Sequence, residues 1–153
     1  MTRHGMILIG ALALGGCVTA APPPPPQPTG VAELRVTINT TPDYVRQTII
    51  ARAAARGTAG TSPNARTIVL EREIPETTAA LAAVCGPHKP GRRVQVVLTT
   101  DRAGPRTVVT ERRFLIDRGG PRCAVLLTPE DVAAGNRSLA ELKAQAETQM
   151  AGR

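Results

Sequence analysis

Five consecutive prolines, Pro22–Pro26, followed by Gln27 and Pro28, decide where a folded domain can begin. Proline has no N–H to give to a helix or a strand ladder, and its ring fixes φ. Neither element can run through this stretch. It favours extended polyproline geometry at about 3.1 Å per residue and reads as a spacer. A docking motif for a proline-binding partner is the other reading. The chain has 153 residues. Beyond the spacer, residues 31–153 leave enough for one modest core. With one Tyr, one Phe and no Trp, that core must be built from Val, Ile, Leu and Ala. The same shortage argues against ring-stacking platforms for sugars or single-stranded nucleic acid, so no nucleic-acid partner is expected.

Ahead of the prolines, Thr2-Arg3-His4 is a short basic start, and Met6–Leu14 is apolar apart from Gly10. As a helix this stretch would be roughly 14 Å long, against about 30 Å for a bilayer core. It fits the apolar middle of a signal peptide rather than a membrane span.

Leu14-Gly15-Gly16-Cys17 follows at once. The order of basic start, apolar middle, two small residues and cysteine resembles the lipobox signal of bacterial lipoproteins. The resemblance implies cleavage after residue 16 and a diacylglycerol on the Cys17 thiol, with the new amino group acylated too. Two or more acyl chains anchor stably where one does not. It implies a membrane partner through the lipid. Val18 in place of Asp after the cysteine favours the outer membrane, with the domain in the periplasm. Residues 1–16 are then signal peptide, and 17–30 lipidated cysteine and linker. The spacer would hold the domain up to roughly 40 Å from the lipid.

Along the domain, Leu34, Val36 and Ile38 alternate as one face of a strand. Thr41-Pro42-Asp43 reads as a helix start, with a stripe of Val45, Ile49, Ile50, Ala53 and Ala54 and a stop at Gly57. Residues 58–65 read as a loop, 67–73 as a strand and 76–85 as a helix. Residues 93–100 and 107–116 read as strands joined by a turn, and 123–127 as a short strand. In the second of the paired strands the inward set would be Val108, Thr110, Phe114 and Ile116, which also turns Arg112 to the core, a conflict that a bulge or an edge position would resolve. Thr128 opens a single helical turn before Gly135. Ser138 opens a last helix, with a stripe of Leu139, Leu142, Ala146 and Met150 that covers the sheet or receives a partner. The expected class is α+β: a small antiparallel sheet of about four to five strands with helices mainly on one face.

With Cys17 assigned to lipid, Cys85 and Cys123 remain. In an oxidising compartment such a pair is expected to form a disulfide. The alternatives are free thiols, a zinc site from Cys85, His88 and Cys123, or a Cys85/His88 nucleophile pair. No cofactor is expected.

The formal net charge is +7. Residues 89–122 carry nine basic groups against the three acids Asp101, Glu111 and Asp117. Arg92, Arg93 and Arg118 fall at the open end of the paired strands, and a Cys85–Cys123 bridge would draw His88, Lys89 and Arg122 to them. Guanidinium groups bind phosphate and carboxylate in two-pronged fashion. That end is therefore a candidate anion site for lipid headgroups, lipopolysaccharide or wall polymer. No G-x-S-x-G, H-E-x-x-H or phosphate-binding glycine loop occurs. The reading is a non-enzymatic envelope module that binds a protein partner, with anion binding at the arginine-rich end as the alternative.

Overall fold

The computed structural model describes residues 33–151. The predicted signal peptide, Cys17 and the proline linker lie outside them. The elements are β1 (Leu34–Ile38), α1 (Pro42–Ala55), β2 (Ala59–Asn64), β3 (Thr67–Glu73), α2 (Ala79–Cys85), β4 (Arg93–Ala103), β5 (Arg106–Ile116), β6 (Cys123–Ala124) and α3 (Pro129–Ala151). All strands pair antiparallel in a six-stranded sheet of order β1-β5-β4-β3-β2, with β6 beside β5. This is the expected α+β class, with helices packed on one face.

The β4–β5 hairpin is the spine. Its strands pair from Arg93↔Ile116 to Ala103↔Arg106 around Gly104, whose φ of 62° suits a residue without a Cβ. β1 and β6 share one edge of β5: β1 pairs with residues 107–111, and β6 with Phe114 and Leu115.

The register corrects the expected inward face of β5. Leu34, Val36 and Ile38 lie opposite Glu111, Val109 and Thr107. Directly opposed residues of an antiparallel pair point to the same face. The core therefore receives Thr107, Val109, Glu111 and Leu115, all buried. Val108, Thr110, Phe114 and Ile116 face outward. Arg112 goes with them and donates to Glu33 through Nε at 2.9 Å and Nη2 at 2.7 Å.

Two helices close the core. α1 starts as expected, with Pro42 in its first turn, and buries Val45, Thr48, Ile49 and Ala53. Ile50 and Ala54 of the expected stripe point outward. α3 is one continuous helix of 23 residues, not a turn followed by a separate helix. Gly135 does not stop it. A Cβ there would lie 2.2 Å from Leu34 Cδ1 and 3.1 Å from Arg113 Nη2, so the glycine lets α3 cross close over β1 and β5. Leu139, Leu142 and Ala146 are buried, while Met150 is exposed. Lys143 Nζ donates to the Thr37 carbonyl at 3.0 Å, and the Asn39 N–H to Glu147 at 2.8 Å. Both bonds tie α3 to the end of β1. Lys143, with the Asn39 N–H, holds the Glu147 carboxyl below its ordinary pKa.

The segment expected to be a loop is β2, the outer strand beside β3. Its register shifts between Thr61 and Asn64, and all its residues are exposed.

Candidate functional site

The bridge between Cys85 and Cys123 is present, with Cα atoms 5.7 Å apart. It staples α2 to β6 at the open end of the hairpin. With both sulfurs bonded to each other, neither is a thiolate for zinc or a nucleophile beside His88. Among the described residues no group of three or more His, Cys, Asp or Glu is placed to hold a metal ion.

Arg92 sits at the centre of this end, 1 % exposed. Its Nε donates to Asp117 Oδ1 at 2.7 Å and its Nη2 to Oδ2 at 3.0 Å. Nη2 also reaches the Cys85 carbonyl at 3.1 Å, and Nη1 reaches the Gly86 carbonyl at 2.9 Å and Thr77 Oγ1 at 3.4 Å. A buried charge is tolerated only when paired and hydrogen-bonded, and these bonds use the whole guanidinium. Lys89 Nζ stands 3.2 Å from Asp117 Oδ2. The Arg92 hydrogen bond, with help from Lys89, holds the Asp117 carboxyl at a pKa of about 2, and Asp117 in turn raises that of Arg92.

All six residues expected at the anion site are near this end, but their charges are differently used. Arg92 and Lys89 share Asp117. Arg93 pairs with Glu71 at 2.8 Å. His88 Nδ1 lies 3.2 Å from Thr77 Oγ1. Arg122 lies over the Phe114 ring, 5.7 Å from its centroid, a cation–π arrangement. Arg118 is exposed and has no ion pair among the described residues. Arg92 is a structural clamp on the stapled segment, which the sequence hid because charge counting does not show which side chain is buried.

A second concavity lies on the helical face of the sheet. Between the C-terminal half of α1, the middle of α3 and strands β3–β5 the core thins into a cleft of about 490 Å³. Its floor is Leu70, Val94, Val96 and Leu98, and Ile49, Leu139 and Leu142 line its helical walls. The cleft follows from composition. Large rings normally fill such gaps, and valines and alanines do not reach across. Glu111 and Arg113 stand on β5 within it, joined by Arg113 Nε to Glu111 Oε1 at 2.8 Å, with Asp131 3.6 Å from Arg113 Nη1. The sequence reading missed this pair because it assigned the wrong face of β5.

The remaining charged lining is Glu71, held by Arg93 and Gln95, and three arginines. Arg52 and Arg56 come from the last turns of α1, and Arg72 from β3. Arg52 lies 3.0 Å and Arg56 3.5 Å from one Glu141 oxygen. Arg72 is exposed, and its guanidinium has no ion pair or hydrogen bond among the described residues.

Among the described residues no helix is long and apolar enough to cross a membrane. No family model, no curated protein and no solved structure matches the chain.

Proposed function

We propose that the chain is a lipid-anchored protein of a bacterial cell envelope, tethered through Cys17, whose domain binds a protein partner and is not an enzyme. The observation that carries this reading is the Cys85–Cys123 bridge. Disulfides form and persist in exported compartments and are rare in the cytosol. The bridge therefore agrees with an export signal at residues 1–16, which is an independent feature of the sequence. The use of Arg92, Lys89 and Arg93 in internal pairs favours a stabilised binding module over an anion receptor at that end.

Intact-mass analysis of the protein from its native membrane tests the anchor. The expected species begins at Cys17 and carries acyl chains. A chain that retains residues 1–16 with an unmodified Cys17 overturns the reading. Native electrophoresis after mild solubilisation tests the partner, which requires a species larger than the monomer.

The second reading, anion binding at the stapled end, is supported by Arg118 and Arg122, which have no carboxylate within ion-pair distance among the described residues. It predicts salt-sensitive binding to anionic vesicles that Arg118→Glu with Arg122→Glu abolishes.

A further inference from the structure

We infer that the cleft between α1, α3 and the sheet binds a single-chain amphiphile with an anionic head: an alkyl or acyl chain ending in carboxylate or phosphate. The inference rests on the described domain alone and stands whether or not Cys17 carries lipid.

The floor comes first. Val94, Val96 and Leu70 remain only half-buried although they face the helices. Apolar groups held apart by a gap forgo both dispersion contacts and burial. An alkyl chain laid along them supplies both. The cleft volume of about 490 Å³ falls within the range of about 300–1,000 Å³ typical of small-molecule sites.

The charges select the head group. Of the lining guanidiniums, Arg52 and Arg56 share Glu141 beside the cleft, while Arg72 has no carboxylate; the lining carboxylate Glu71 is held by Arg93. Arg113 faces two carboxylates, Glu111 and Asp131, so the four guanidiniums exceed the carboxylates paired with them by one. The carbonyl end of α1 carries negative partial charge that Arg52 and Arg56 offset, which leaves Arg72 on β3 as the cation open to an anionic head. An anion with an apolar tail satisfies both halves of the site, whereas a neutral or cationic chain satisfies only the floor.

The test uses the full chain carrying Cys17→Ser, so that no acyl anchor competes, with the bridge oxidised. Dodecyl phosphate and dodecanoate are titrated below their micelle concentrations. Dodecyltrimethylammonium and inorganic phosphate serve as comparators, and the Val and Leu methyl groups are followed by NMR. The expected result is Overhauser contacts from the alkyl chain to the Val94 and Val96 methyls. Both anionic chains should bind at least about tenfold tighter than the cationic chain or phosphate alone. Arg72→Glu, a change at an exposed side chain without a partner, should weaken dodecyl phosphate by about tenfold and narrow the gap to the cationic chain. Val96→Phe should fill the floor and abolish the contacts. Absent contacts, equal affinity for anionic and cationic chains, or an Arg72→Glu chain that binds as well as its parent each overturn the inference.

Discussion

Arg92 and Asp117 meet fork to fork, with both carboxylate oxygens accepting from one guanidinium at 2.7 and 3.0 Å. The pair spans the open end of the β4–β5 hairpin. Through the carbonyls of Cys85 and Gly86 it also holds the end of α2. One buried cation thus fastens the start of β4 both to the end of α2 just before it and to Asp117 beyond the end of β5.

The first prediction concerns acid. The folded-state pKa of Asp117 is about 2, below its ordinary 3.8. The unfolded chain therefore binds this proton more readily. The stabilising contribution is fully present above about pH 4 and is lost as pH falls toward 2. Asp117→Asn should lower the melting temperature at neutral pH and flatten its decline over that acid window, as followed by circular dichroism. A variant that melts like the parent at pH 7 contradicts the clamp.

The bridge closes a separation of 38 residues. In the chain-entropy account a loop of that length contributes about 4 kcal/mol. Cys85→Ala with Cys123→Ala should lose about that much in urea unfolding. A reducing agent should shift the parent toward the variant and leave the variant unchanged.

Gly135→Ala sets two effects against each other. Alanine favours a helix interior by about 1 kcal/mol. Against that, the new methyl meets Leu34 Cδ1 at 2.2 Å, and Leu34 is buried with little room to turn. Overpacking of this kind costs about 1–3 kcal/mol. The clash should win, with net destabilisation of about 1 kcal/mol or more. Leu34→Val in the same chain should recover part of it, and a double-mutant cycle by urea unfolding measures the coupling.

Thr107 donates from Oγ1 to the Thr40 carbonyl at 2.6 Å, and both residues are buried. Thr107→Val keeps the shape and removes the donor, so stability should fall by about 1–2 kcal/mol. Urea unfolding of this variant beside Thr107→Ser, which keeps the hydroxyl, separates the bond from the methyl group.

The local signals of the sequence were sound where chemistry and neighbours agree. The alternation of Leu34, Val36 and Ile38 gave β1 its face, and Thr41-Pro42-Asp43 started α1 at the right residue. They failed where the answer lies in a distant partner. Residues 59–64, Ala-Gly-Thr-Ser-Pro-Asn, have no apolar period, and β3 makes a strand of them by pairing. β5 carries apolar residues on both faces, so its inward side is set by register with β1. Gly135 looks like a helix stop in sequence and is a point of close contact in space. The bridge and the gathering of basic residues at one end were legible. That Asp117 would absorb Arg92 and Lys89 was not, because burial is invisible to a charge count.

β2 also shapes how copies of this domain meet. A sheet margin with a regular row of free amide groups invites a second molecule to continue the ladder. Here the row is broken at the register shift between Thr61 and Asn64, and Pro63 has no amide hydrogen to offer. Along this edge a second molecule finds no continuous ladder to extend.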